Sequence, residues 1–239
     1  MRTSGLTLFV LLAAKSVTAD VVVDVHGDPI SSAGASLFIN NNVTASWTNA
    51  VEYVDVGITV KLLVDPVLQA RNVTAYLTDE IGPGTTIVDE VAPTVTFKAV
   101  GSFPLFQPTV TLFQNLTLAP GTYYLTLSSD APDFNTPVAW SVASHSTVID
   151  TGQGVTRNRD LTSAGNSQDP FVPASVFSDL PFDSQAPLEY AVTGTPVNST
   201  VPEPSPLVLS ALGVVLAVWV KTTVLGRNKS ENDCEGNAT

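Results

Sequence analysis

The side chains that could carry chemistry are few and scattered. Histidine occurs twice, at His26 and His145, so a Ser-His-Asp triad or a His-rich metal site lacks material. Ser144, His145 and Asp150 are close in sequence, but adjacent side chains on a strand point to opposite faces and do not converge. His26 follows the run Val21–Val25, between Asp24 and Asp28, and reads as a solvated turn. Paired carboxylates stand at Asp79-Glu80 and Asp89-Glu90. A glycosidase needs two carboxyls facing each other about 5 to 9 Å apart across a cleft, and neighbours at hairpin ends do not supply that. Asp130 and Asp133 are oxygen ligands of the kind calcium takes, without the full loop of alternating ligands. Trp47, Trp140, Tyr53, Tyr76, Tyr123 and Tyr124 suit either a sugar-binding face or the core of a sandwich, and packing is the stronger expectation. No residue set converges on catalysis, so an enzyme is not expected and no cofactor is called for.

These side chains sit on strands. Val54, Val56, Ile58, Val60 and Leu62 alternate with Asp55, Gly57, Thr59, Lys61 and Leu63, a period of two that buries one face of a strand and wets the other. Similar runs fall at Asn72–Thr78, Val95–Val100, Thr109–Leu118, Thr122–Ser128, Val138–Ala143 and Leu188–Thr193. Gly82-Pro83-Gly84 and Ala119-Pro120-Gly121 supply turns between them. Asp150–Ala186, broken by Gly152, Gly154, Gly165, Pro170, Pro173 and Pro181, reads as a long surface loop or a set of short edge strands. The expected fold is all-β, an antiparallel β-sandwich or jelly roll. With 44% hydrophobic and 13% charged residues the chain can build a core. Its one cysteine, Cys234, excludes a disulfide or a Cys-based site in the body. Residues 20–203 hold 19 acidic and five basic side chains, which argues against nucleic acid as a partner.

The ends are read as targeting segments. Residues 1–19 have a basic start at Arg2, an apolar stretch at Leu6–Ala14 and the small-residue site Val17-Thr18-Ala19, the pattern of a signal peptide. Residues 20–195 form the β-sandwich ectodomain and 196–206 a proline-rich linker. Residues 207–225, about 28 Å long as a helix, form one transmembrane span. Lys221, Arg227 and Lys229 flank that span on its cytoplasmic side, which makes 226–239 a cytoplasmic tail. Asn-X-Ser/Thr triplets begin at Asn42, Asn72, Asn115, Asn198, Asn228 and Asn237. They allow a glycoprotein reading, but the last two lie beyond the span, where glycosylation does not occur.

Val201-Pro202-Glu203-Pro204, an apolar helix and a basic end, in that order, resemble the PEP-CTERM sorting segment of Gram-negative and related bacteria. The resemblance implies recognition of the tripeptide by an exosortase-type transpeptidase in the inner membrane, with transfer of the body to the envelope or extracellular surface. The chain departs from that family in running on through Ser230–Thr239, an acidic tail. Within the body, Leu116–Leu127 (Leu-Thr-Leu-Ala-Pro-Gly-Thr-Tyr-Tyr-Leu-Thr-Leu), followed by Trp140, resembles a strand pair of choice-of-anchor β-sandwich domains, and the likeness extends over Ser36–Gly194. It carries no enzymatic activity with it. The expected function is a surface-anchored, non-enzymatic protein with a structural or adhesive role in the envelope or matrix. The alternative is a glycan-binding jelly-roll module, with or without calcium, with extracellular polysaccharide as the partner.

Overall fold

The described residues form fourteen strands, all paired antiparallel: β1 (Asp20–His26), β2 (Gly34–Leu37), β3 (Asn41–Asn49), β4 (Tyr53–Val64), β5 (Arg71–Thr78), β6 (Glu90–Ala99), β7 (Thr109–Leu118), β8 (Gly121–Ser129), β9 (Val138–Ser141), β10 (Val148–Thr151), β11 (Val155–Arg157), β12 (Leu161–Ala164), β13 (Ser178–Asp179) and β14 (Tyr190–Pro196). The computed structural model describes residues 19–27, 34–39, 41–64, 70–100, 108–132, 138–143, 146–164, 171–181 and 185–197. The expected runs all become strands, and Asp150–Ala186 contributes short ones, β11 to β13. The expected signal peptide and transmembrane span fall almost wholly outside the described residues. Among the described residues no helix is long and apolar enough to cross a membrane.

One seven-stranded sheet runs β10-β1-β14-β4-β9-β2, with β7 also on β4; the other runs β13-β12-β3-β8-β5-β6, with β11 also on β3. Inward side chains of both meet in one core, so the fold is β-sandwich-like. Trp47 of β3 lies 5.9 Å from Tyr123 and 6.0 Å from Tyr190 of β14, and Tyr190 is 6.4 Å from Trp140. These rings tie the two sheets together with favourable edge and tilted contacts.

Strand β4 is the spine of the first sheet. Val56, Ile58, Val60, Leu62 and Val64 are buried as the period of two requires, but Tyr53 takes the buried position expected of Val54. The cause is Asp55, which adopts φ 53° and inserts a bulge that shifts the ladder to both β14 and β7. A short polar side chain tolerates that left-handed backbone better than a β-branched one. Beyond Lys61, β9 replaces β14 alongside β4, with Leu62 opposite Trp140 and Val64 opposite Val138. Its other neighbour, β2, joins β3 through the tight Phe38–Asn41 hairpin. The sheet thereby curls over one end as a half-barrel.

The outer face of the second sheet is polar and yet buried. Asn42, Thr44 and Thr126 point away from the core but are at most 1% exposed. The chain from Phe171 to Asp179 covers them: Phe171 packs edge-on against Tyr76 of β5 at 5.7 Å, and Pro173 O accepts from Gly82 N–H at 2.8 Å. The strap then reaches β13 beside β12. Beneath it the Thr44 and Thr126 hydroxyls bond each other at 2.8 Å, which satisfies groups that water cannot reach.

Asp20 pairs with Gly194, so the chain enters through β1 and leaves through β14 at the same end, the exit pole. The β3–β4, β5–β6, β7–β8 and β10–β11 connections also lie there.

Candidate functional site

The residues expected to act at the C-terminus, Val201, Pro202, Glu203 and Pro204 with Lys221, Arg227 and Lys229, lie outside the described residues, as do Asp133 and His145. Asp130 is described. Its two oxygens accept from Asn72 N–H at 3.0 Å and Asn72 Nδ2 at 2.7 Å, a clamp between the start of β5 and the end of β8. Among the described residues no three His, Cys, Asp or Glu side chains gather as a metal site would require. His26 is the last residue of β1, not a turn, and its exposed ring sits 3.3 Å from Asp24. Trp47, Trp140, Tyr53 and Tyr123 are buried in the core, while Tyr76 and Tyr124 face outward and are half-buried. The Asn42 triplet is buried in β3, with Asn42 Nδ2 donating to Ser163 Oγ at 3.0 Å.

The most concentrated polar chemistry is at Glu189, which sequence reasoning passed over. β14 and β9 meet end to end on β4 at Lys61, and a ladder broken in this way leaves backbone groups to be satisfied by other means. Glu189 does this with its whole length. Its N–H donates to Ser141 O at 2.8 Å, and its carbonyl accepts from Lys61 N–H at 3.3 Å and Trp140 Nε1 at 2.8 Å. Its carboxylate, with the side chain 2% exposed, accepts from Lys61 Nζ at 3.1 Å, Gly27 N–H at 2.9 Å and the Ser141 hydroxyl. Outside it lies a small cavity of about 120 Å³, walled by Asp24, His26, Thr59, Lys61, Thr109 and Glu189. The carboxylate oxygens are thus taken up by a cation and two further donors, all supplied by the fold itself. The arrangement does structural chemistry, fixing the junction. Lys61 within the apolar half of β4 and Glu189 just ahead of β14 were the available signal, since a charge in a buried run calls for a partner.

A second buried carboxylate acts one residue away. Between β11 and β12 the chain turns Asp160 inward, fully buried, where Oδ2 accepts from Leu188 N–H at 2.7 Å and pairs with Arg157 Nη2 at 2.6 Å. Asp160 O also accepts from Leu180 N–H at 2.8 Å. The second sheet, the strap and the start of β14 are thus pinned at one residue.

The exit pole is electrostatically one-sided. Asp20, Glu52, Asp55, Asp79 and Glu80 are exposed there and Asp89 and Glu90 half-buried; Arg157, opposite Trp47, and Arg159, beside Ser46, lie level with Glu90 by strand register and are paired with Asp160 and Asp179. Three tyrosines register it. Burial, and then Asp20, pushes the Tyr53 phenol up; burial and Asp79 do the same to Tyr123, and burial and Glu90 to Tyr76. No protein-family model matches the chain, and no curated protein or solved structure is significantly similar to it.

Proposed function

We propose that the chain is an exported, non-enzymatic surface protein: a β-sandwich body with a structural or adhesive role in the envelope or extracellular matrix. In this reading residues 1–19 are a cleaved signal peptide and 207–225 a transmembrane helix that spans the inner membrane before processing. Pro202-Glu203-Pro204, with Val201, is the signal read by an exosortase-type transpeptidase. The observation that carries the reading is the position of β14. The last described strand lies inside its sheet between β1 and β4, with both carboxylate clamps at its inner end, and it ends at the exit pole. A body held by its final strand suits display from a C-terminal anchor.

The competing glycan-binding reading needs aromatic rings on an open sheet face. The packing of Trp47, Trp140, Tyr53 and Tyr123 in the core favours the structural role. The deciding experiment is the intact mass of the mature protein from its native host, wild type beside Glu203→Ala. Sorting predicts a wild-type chain that begins at Asp20 and ends near Pro202–Pro204, with the C-terminal cut lost in the variant. If both retain Thr239, the segment is an anchor only and transfer to the surface is wrong.

A further inference from the structure

The chain leaves the described residues at Val197, whose N–H is held by Glu52 O at 2.8 Å. Pro202 follows after four intervening residues, and five residues of fully extended chain reach at most about 17 Å. Chain length therefore keeps Pro202 within about 17 Å of Val197.

The exit pole combines two features. One is an excess of exposed carboxylates, Asp20, Glu52, Asp55, Asp79 and Glu80, the arginines level with Glu90 being paired with Asp160 and Asp179. The other is an apolar pair in water: Ile87 is 70% and Val88 84% exposed. They occupy a one-turn 3-10 helix, Ile87–Asp89, fixed by Thr86 N–H donating to Asp89 Oδ2 at 2.6 Å and by the Thr86 hydroxyl on the same oxygen at 3.1 Å. Exposed connections ordinarily carry Gly, Asn, Asp, Ser or Pro. Two aliphatic side chains held out to solvent on a fixed turn, rimmed by charge, have the make-up of an interaction surface. β5 is two strands from β3, about 10 Å at the usual strand spacing, so this tip and Glu52 fit within one ordinary interface patch.

We propose that the exit pole is a second docking surface for the sorting transpeptidase, which meets it with lysine and arginine side chains around an apolar shelf. The proposal rests on the sorting reading above. The carboxylates steer the encounter and Ile87 and Val88 seat the body, so that the tripeptide is delivered at high effective concentration.

The test is a pulse-chase of the full chain in its native host, reading the processed fraction by intact mass. The variants are Glu203→Ala, Asp79→Lys with Glu80→Lys, Ile87→Ser with Val88→Ser, and Lys98→Glu at the opposite pole as control. The three body variants change exposed side chains, and export to the same level checks folding. Both exit-pole variants should slow processing on the order of tenfold, with Lys98→Glu at the wild-type rate. If the exit-pole variants keep the wild-type rate while Glu203→Ala is not processed, sorting stands and the docking surface falls. A wild-type chain that is never processed overturns both. Slowing by the lysine variants but not by Ile87→Ser with Val88→Ser means the pole works by repulsion from the anionic leaflet, and docking is overturned.

Discussion

Lys61 and Glu189 are unequally buried, and that makes their pair a sharp test of the junction. The Lys61 side chain is 23% exposed and Glu189 2%. Lys61→Met leaves a carboxylate in the interior with only Gly27 N–H and the fully buried Ser141 hydroxyl as donors. Losing one partner of a buried pair costs about 3–5 kcal/mol, and the two remaining donors reduce this to about 2–4 kcal/mol. In Glu189→Gln the ammonium can turn toward water and an acceptor remains for Gly27, so about 1–2 kcal/mol is lost. Removing both charges leaves no buried ion, so Lys61→Met with Glu189→Gln should be more stable than Lys61→Met alone by about 1 kcal/mol or more. The assay is urea unfolding of the full chain in mild detergent, followed by the fluorescence of Trp47 and Trp140, both fully buried. With a slope of about 2–3 kcal/mol/M for a body of this size, Lys61→Met should lower the midpoint by roughly 1 M at unchanged slope. A double variant less stable than Lys61→Met would refute the reasoning, because the carboxylate would then not be the group whose burial is compensated.

Asp160→Asn should weaken the strap and the start of β14 together, costing about 2–3 kcal/mol; hydrogen exchange should show Leu188 N–H losing protection by at least about tenfold, and unchanged protection would sink the assignment. At Asp55, Asp55→Gly should be neutral or stabilising by up to about 1 kcal/mol, while Asp55→Val should cost about 1–2 kcal/mol, because only the β-branched residue resists φ > 0; thermal melts decide it. Tyr53, Tyr76 and Tyr123 are raised from 10.0 in the folded chain, so their contribution to stability is complete below pH about 10 and is lost as pH rises through the folded values. Absorbance at 295 nm should accordingly show these phenols ionising later in the native chain than in urea. Because Asp130 is engaged by Asn72, a chelator should leave the melting midpoint unmoved while Asp130→Ala costs about 1 kcal/mol.

The strands were legible because their cause is local. Alternation in β4, the Thr-rich runs of β5 and β8, and the Ala119-Pro120-Gly121 turn write period and punctuation directly into the chain. What was hidden depends on partners distant in sequence. Glu189 meets Ser141 and Gly27 across 48 and 162 positions, and nothing near Leu188 announces that β14 begins where β9 stops. The strap escaped notice for a related reason: nothing in β3 or β8 announces that Phe171–Asp179, anchored at Tyr76, Gly82 and β12, lies over their outer face. Tyr53 for Val54 was a one-residue error of phase with a one-residue cause, since Asp55 reads as polar whether its φ is negative or positive.

The place of β14 also decides how the body would behave under load. A pull applied at Pro196 along the strand axis would act at right angles to the hydrogen bonds that β14 makes with β1 on one side and β4 on the other. Bonds arranged this way share tension side by side and must shear together, whereas a terminal strand at a sheet edge could peel one bond at a time. Glu189 and Leu188 lie at the far end of that strand, so the two buried carboxylates act as its stop: the last contacts a sliding strand would have to tear loose.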